Sequence, residues 1–524
     1  MIKSGISKLL TTLVSFYLSV MLHLLKLVPQ SSRFASLLDL IPALIDQVSN
    51  HGYKSVGKLI VEDAVDTVAL KAGYQLVPVK QHDGNGKNVE EKGAASPSFD
   101  EGVDVGDGGI PGGESVPRKQ TLLVNGKNDF KNVVVIGGSI VGQALAMQIR
   151  ANPLPHPYRV IIIEKHSHAH YMFAFPRAAT IPGIESALFA PYTNTFPSPS
   201  IGTVINAFVT KITKTHVELD REIDGSKSVE FDYLVMATGA NHPEPGNLNL
   251  CDTKSDAIKT LKHYQSIIAS SSHPLIIGGG AVGIELAAEI KEHYPHKNVT
   301  IVHSRERYLG SYKIGMHDKC FKLLQKLGVV QILGDRVEAP KCGFVRDGVK
   351  RSYVSKNGRK IESDLVLLCT GMTPNSHLLT PLSPTSLSSS KYIRVRPTLQ
   401  LHDTQFPNIF AGGDVIDAPD IKTGSSAFNH AGVIVRNIRK LIDEEKKGRN
   451  VGDVMEGELE SWKAILPQIF LFLGAHHGFA QLAFKNYLYT AGSWLVRRYF
   501  SENVLAARMW DWVGTPLNKK TINL

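Results

Sequence analysis

The densest chemistry in this chain is carried by glycine. In PLIIGGGAVGIELAAEI, Pro274 to Ile290, residues Gly278, Gly280 and Gly283 stand in the spacing G-x-G-x-x-G. Placed between an apolar strand and a helix, such a run closes a tight turn, lets a pyrophosphate reach the backbone and lets helix and strand pack closely. The helix start then offers free N–H groups and a partial positive charge to the phosphates. A second run, VVVIGGSIVGQALA from Val133 to Ala146, repeats the plan with one change. Gly137 makes the turn, Gly138 follows and Gly142 packs helix on strand, but Ser139 replaces the middle glycine. Serine is small; with a negative φ it keeps the turn usable and turns its hydroxyl toward the phosphates. One glycine run is a weak signal, whereas two, each between an apolar strand and an alanine-bearing helix, predict two dinucleotide sites.

The residue that ends the second strand of each unit separates the two ligands. YRVIIIEKH places Glu164 22 residues beyond Gly142, where a carboxylate accepts hydrogen bonds from ribose hydroxyls. NVTIVHSRER places His303 20 residues beyond Gly283, followed by Ser304 and Arg305. A basic cluster there suits a ribose 2′-phosphate that a carboxylate repels, which predicts NADPH with NADH tolerated. Three more strand ends fit this plan: Ala237, Thr238 and Gly239 in FDYLVMATGA, Cys369, Thr370 and Gly371 in SDLVLLCTGMTPN, and Gly413 and Asp414 in FPNIFAGGDV. Small residues there admit a flat cofactor or a crossing chain, and an aspartate after a glycine turn suits a ribityl hydroxyl.

These motifs need several elements to hold them. A chain of 524 residues exceeds one core, and 43% apolar residues with 45 glycines and 27 prolines fit a globular α/β protein with loose segments. The net charge is +10, with basic residues in excess between Arg305 and Lys360. Such a surface attracts nucleic acid, anionic lipid or a phosphorylated cofactor. The four cysteines include no C-x-x-C pair, so a dithiol relay is not expected; nor is a metal centre, iron–sulfur cluster or haem. From Leu9 to Val28 the chain is mostly apolar, yet Lys8, Thr12, Ser15, Ser19, His23 and Lys26 fall on one helical stripe. That pattern predicts a helix lying in a membrane interface, with a spanning anchor or a mitochondrial presequence as alternatives. Gln81 to Gln120 is glycine-rich and almost without large apolar side chains, and reads as a disordered tether. Near the end, Trp494, Trp510 and Trp512 beside Arg497 and Arg498 suit either a helix packed on the core or an interface, while His476 and His477 read as turn residues.

The motifs GGSIVG, FDYLVMATG, GGGAVGIELAAEI, VTIVHS, LVLLCTG, NIFAGGD and LFLGAHHGFAQ, spread over roughly Lys131 to Val513, resemble the two-dinucleotide-binding-domain flavoproteins. Among these they are most similar to the apoptosis-inducing-factor-like group that includes ferroptosis-suppressor NAD(P)H:quinone oxidoreductases. The resemblance implies two nested Rossmann-like domains with a C-terminal α+β region; the N-terminal helical extension, read from composition, lies outside it. Composition sets an extension over 1–80 and a linker over 81–125, and the resemblance adds an FAD-binding domain over 126–250 and 364–450, an NAD(P)H-binding domain over 251–363, and a C-terminal domain over 451–524. It places FAD at the first turn, with Glu164 on the adenosine ribose, Val209 at the adenine, Asp414 on the ribityl chain and Arg177 at the flavin. It aims the helix begun by KTGSSAFNHAG at the flavin, with Lys422 as a catalytic cation, and leaves Glu285 as either helix polarity or a nicotinamide contact. The implied reaction passes hydride from NAD(P)H to flavin and then electrons to a quinone, at a membrane on the cytoplasmic face or in mitochondria. Ile2 stands where an N-myristoylation signal needs glycine, so that lipid is not expected. Rival readings are a single-subunit respiratory NADH dehydrogenase, a ferredoxin-type reductase, and a nucleic-acid-binding, death-promoting factor with weak oxidase activity. The last is disfavoured because aromatic and basic residues do not interleave as on nucleic-acid platforms.

Overall fold

The computed structural model describes residues 130–248, 250–338, 344, 346–484, 487–496 and 506–515. The expected helix of Leu9–Val28, the tether of 81–120, Cys342, Arg497 and Arg498 lie outside these residues.

From Lys131 the chain lays down β1 (Lys131–Ile136), α1 (Ile140–Ala151), β2 (Tyr158–Glu164), β3 (Gly202–Asn206) and β4 (Tyr233–Met236). Then come α2 (Lys254–Ser270), β5 (Pro274–Ile277), α3 (Ala281–His293), β6 (Thr300–His303), α4 (Ile314–Lys326), β7 (Val330–Leu333) and β8 (Leu365–Leu368). Downstream lie β9 (Ile409–Ala411), α5 (Gly424–Lys446), β10 (Ile469–Leu473), β11 (His477–Phe484) and β12 (Tyr487–Ala491).

One sheet has the order β9-β4-β1-β2-β3, every pair parallel. Parallel neighbours are joined by crossovers that cover both faces, so their strands must be apolar on both sides. β2 (YRVIIIE) is buried along its whole length, and its Arg159 is satisfied by Nε donating to Asn132 Oδ1 at 2.9 Å. The second sheet, β7-β6-β5-β8, is also parallel. It is built wholly from chain between β4 and β9, so one nucleotide fold sits inside the other. The boundary expected at 363 falls too early. β8 pairs with β5 from Pro274↔Leu365 to Ile277↔Leu368, because the fully buried centre of β5 needs an apolar partner on its second edge.

The chain crosses between the two sheets after β4 and again after β8, and the two crossings pair with each other. Ala240 faces Pro374 and Asn241 faces Thr373 in a short antiparallel ladder. Thr238 Oγ1 donates to the Asn375 carbonyl at 2.7 Å, and Asn375 Nδ2 donates to the Thr238 carbonyl at 2.9 Å. Behind the first sheet runs α5, 23 residues and about 34 Å long. Its Ala427, Ala431, Ile434, Ile438, Leu441 and Ile442 recur at helical spacing, are buried, and pack α5 on α1.

Candidate dinucleotide sites

The two glycine turns share one geometry. Gly137 has φ +111° and Gly278 φ +120°, and a Cβ at either would lie 2.3 Å from a carbonyl, that of Ala237 or Cys369 respectively. A Cβ at Gly142 would lie 2.3 Å from the Gly137 carbonyl, and one at Gly283 1.9 Å from the Gly278 carbonyl. These four glycines are therefore demanded by backbone packing. The middle position differs. Gly280 has φ −80°, and a Cβ added there meets nothing within 4 Å; Ser139 has the same φ of −80°. The serine is thus conformationally at home, as expected.

Both helices that follow the turns start without a side-chain cap: Ser139 makes no capping bond to α1 and Gly280 has no side chain to offer α3. By contrast Thr253 caps α2 and Thr423 caps α5, each accepting a first-turn N–H. Uncapped first-turn donors beside a glycine turn are the groups a pyrophosphate satisfies. On these observations both turns fit a dinucleotide.

The strand-end residues prove equivalent in space. The Gly138 N–H donates to Glu164 Oε2 at 2.6 Å, and the Gly279 N–H donates to His303 Nδ1 at 3.1 Å. Glu164 is buried, which disfavours its charge. The His166 ring, 2.8 Å from Oε1, and the N–H groups of His166 and Gly138 outweigh that and hold the carboxyl at about 2. At the second turn burial, with Arg305 beside it, lowers the His303 imidazole below its usual range. With Nδ1 accepting, the ring hydrogen sits on Nε2 and meets the Arg307 backbone, while Arg305 lies exposed two residues on from His303. The first strand end thus carries an anion and the second a neutral ring with an arginine nearby.

Asp414 follows Gly413, whose φ is +80°, and its carboxylate accepts no hydrogen bond from the described residues. Burial pushes its carboxyl up, opposed by His242 and Lys422. Lys422 does not project freely: its Nζ donates to the Ile416 carbonyl and lies 5.3 Å over the Tyr392 ring. Gly239 and Gly371, φ +64° and +71°, open the two crossings. Val209 is buried in the main core on a strand paired with Leu219, so only its backbone is left to meet a ligand.

Arg177 and Glu285 make contacts within the chain that the sequence reading did not foresee. Arg177 is buried; its Nε pairs with Glu289 Oε1 at 2.8 Å and its Nη2 donates to the Gly474 carbonyl at 2.6 Å. Glu285 is neither exposed nor idle: its Oε1 accepts the Phe472 N–H at 3.1 Å. Burial pushes its carboxyl up to about 8, with Glu289 adding to the rise, so it carries its proton at neutral pH. Glu289 and Glu292 continue the same face of α3, accepting the N–H groups of Gly474 at 3.2 Å and Ala475 at 2.8 Å. This docking of the β10–β11 turn was missed, although three glutamates at i, i+4 and i+7 signal one helix face. Gly474 to His476 make that turn, and His477 opens β11.

The two C-terminal tryptophans whose side chains are described are half-buried and make contacts within the chain, in line with the core-packing alternative. Trp510 Nε1 donates to the Ala187 carbonyl at 2.7 Å, and the Trp512 ring packs 5.1 Å from Phe428 and 6.4 Å from Tyr171. A large ring gains more from such apolar neighbours than from water. Also unforeseen is a cluster behind Glu164, where His166 stacks on His170 at 4.2 Å; the close spacing of KHSHAH is its trace in the sequence. Among the described residues no group of His, Cys, Asp or Glu forms a metal site.

A family model for pyridine nucleotide-disulphide oxidoreductases matches residues 131–432. The chain is 34% identical over 374 residues to Fe-regulated protein 8 of Mycosarcoma maydis, covering 68% of this chain and 89% of that one. It is 29% identical to apoptosis-inducing factor homolog A of Dictyostelium discoideum, over 74% of this chain and 92% of the relative. To ferroptosis suppressor protein 1 of Homo sapiens it is 27% identical, over 72% and 95%. Among solved structures, a NAD-dependent persulfide reductase from A. fulgidus superposes with a TM-score of 0.50 at 20% identity, over 67% of this chain and 63% of that chain. A ferredoxin reductase from Rhodopseudomonas palustris does so with a TM-score of 0.50 at 17% identity, over 68% and 82%. Nested parallel sheets, paired glycine turns and these relatives agree: the chain belongs to the pyridine nucleotide-disulphide oxidoreductase family, in the group of the apoptosis-inducing factor homologues and ferroptosis suppressor proteins, and is an oxidoreductase that uses FAD and NAD(P)H.

Proposed function

We propose that this chain takes electrons from NADPH, with NADH tolerated, and delivers them through FAD to a quinone at a membrane. The observation that carries the reading is the contrast between Glu164 and His303. Both take an N–H from their glycine turn, yet one is an anion and the other a neutral ring beside an arginine. When bound, the nicotinamide supplies a hydride and the flavin holds the electron pair until an acceptor takes it.

The residues do the rest. Gly137 to Gly142 and the start of α1 would hold the pyrophosphate of FAD, Glu164 its adenosine ribose and Asp414 its ribityl hydroxyls. Gly278 to Gly283 and the start of α3 would hold that of NADPH, with His303 and Arg305 on the 2′-phosphate. The α5 N-terminus, with Lys422 near it, brings partial positive charge to the flavin end of the crevice. Among the described cysteines a thiol acceptor is disfavoured: Cys251 and Cys320 are buried, and burial pushes the thiols of Cys320 and Cys369 up to about 12. The quinone is supported by the motif resemblance, and by the apolar, basic N-terminal segment that would bring the chain to a bilayer.

Purified protein should be yellow, bleach with NADPH under nitrogen, and recover colour when a soluble quinone is added. A preparation that bleaches but stays bleached with quinone, while passing electrons to ferredoxin, would replace the acceptor. Arg305→Glu should raise the KM for NADPH at least tenfold and leave that for NADH within about twofold. Equal changes for both would remove the 2′-phosphate role.

A further inference from the structure

We propose that His430 is a positioning residue for FAD: its ring, steadied by Asp420, sets the Gly413–Asp414 turn so that Asp414 is presented to the ribityl chain. The inference rests on the reading of Asp414 given above and adds the device that aims it.

His430 lies on α5 and is 1% exposed. Its Nδ1 accepts the buried Gly413 N–H at 3.1 Å. A ring nitrogen that accepts carries no proton, so the hydrogen sits on Nε2. That nitrogen faces Asp420 Oδ2 at 3.3 Å, with both side chains almost wholly buried. The contact is off-line for a hydrogen bond but close enough for the carboxylate to favour Nε2–H. Burial raises the cost of the Asp420 charge, and His430 and Ser426 more than offset it. Trp462 meets the imidazole edge-on at 5.3 Å, and a Cβ at Gly412 would come within 3.2 Å of His430 Cβ. The ring therefore has one place to be.

The turn it holds needs holding. Gly413 adopts φ +80°, and its N–H, buried beneath α5, has no backbone acceptor. Without His430 that donor would be orphaned, and the turn would gain by rotating the N–H elsewhere. Asp414 is the next residue, so such a rotation swings its carboxylate, which no described residue restrains. The chain from Asp420 through His430 and Gly413 to Asp414 is thus a second layer behind a ligand contact.

The test uses full-length holoprotein and reads flavin release, not turnover. Flavin fluorescence is followed on dilution of wild type, Asp414→Ala, His430→Leu and His430→Asn. Leucine fills the space without an acceptor; asparagine puts its amide oxygen where Nδ1 stood. Expected is release on the order of ten- to a hundredfold faster for Asp414→Ala and His430→Leu, and within about threefold of wild type for His430→Asn. NADPH affinity should be unchanged in all, which general loosening of the fold would not allow. Fast release from Asp414→Ala with wild-type release from His430→Leu would overturn the positioning role and leave the Asp414 reading intact. Wild-type release from Asp414→Ala would overturn that reading and the proposal with it. Should His430→Leu fail to fold, His430→Asn and ¹⁵N NMR of the His430 ring in wild type decide. Fast release from the asparagine variant, or a proton on Nδ1, would overturn the proposal.

Discussion

At the scale of single residues, the middle glycine of a dinucleotide fingerprint and its flanking glycines do different jobs here, and the difference is measurable. A Cβ at Gly283 would press 1.9 Å from a carbonyl, whereas one at Gly280 meets open space. Gly283→Ala should therefore destabilise the protein itself, by about 2 kcal/mol or more in chemical unfolding. Gly280→Ala should leave unfolding unchanged and weaken NAD(P)H binding, because only an arriving phosphate contests that space. Equal stability loss in both would show that Gly280 is a folding residue. Glu164 yields a second prediction. Its carboxyl is held at about 2 against an ordinary 4.5, so the fold favours the anion. The associated stability is complete above pH 4.5 and is lost as pH falls from there to about 2, on the order of 3 kcal/mol. Glu164→Gln should lack that component of the acid transition; an identical acid profile would refute it. The roles of these residues were legible because sterics and charge act locally: Gly137, Gly142 and Glu164 stand at fixed distances along the chain. His430 was not legible, since it meets Gly413 only after α5 has folded back.

At the scale of elements, α3 does more than begin at a glycine turn. Its Glu285, Glu289 and Glu292 accept successive N–H groups of the β10–β11 hairpin, and Arg177 joins Glu289 to the Gly474 carbonyl. One helix of the inserted fold thus fastens the C-terminal sheet and a short helix of the outer fold, Phe175–Ala178. Burial disfavours the Glu289 charge and Arg177 favours it, so Glu289→Gln, which weakens the 2.8 Å contact between them, should cost about 2–3 kcal/mol in unfolding. Glu292→Gln keeps an acceptor for Ala475 and should cost about 1 kcal/mol or less. Comparable losses would mean that the charge pair is not the fastening. Strands and helices were legible from apolar runs and glycine spacing. The sense of Arg177, Glu285, Trp510 and Trp512 was not, because a long side chain read alone has no direction until its neighbour is known. Residue type alone left the tryptophans between a membrane interface and core packing, and Ala187, Tyr171 and Phe428 are the contacts that the sequence could not name.

At the scale of the whole molecule, electron transfer needs two carriers held in register, and the fold answers with a nested plan in which both crossings run side by side. The ladder of Ala240–Asn241 with Thr373–Pro374, and the reciprocal bonds of Thr238 and Asn375, tie the outward and returning chain at the point where both units end their strands. This pairing was invisible in sequence, though the repeated A/C-T-G strand ends marked where it forms. On the proposed reading the acceptor is a quinone dissolved in a bilayer, and the catalytic body would then have to be brought to that surface. None of the described helices is long and apolar enough to cross a membrane. Leu9 to Val28 lies outside the described residues; on the interface-helix expectation its apolar content would enter the bilayer and Lys8, His23 and Lys26 would meet anionic headgroups. Removal of residues 1–30 should therefore abolish co-flotation with anionic vesicles and leave NADPH oxidation by a water-soluble quinone within about twofold of the full chain. Reduction of a long-tailed quinone embedded in those vesicles should fall at least tenfold, because the electrons are still made available but no longer brought to the acceptor. If the shortened chain still floats and still reduces the embedded quinone, the bilayer contact belongs to the catalytic body. Of the basic surface, the stretch from Arg305 to Lys360 would then be the first to neutralise.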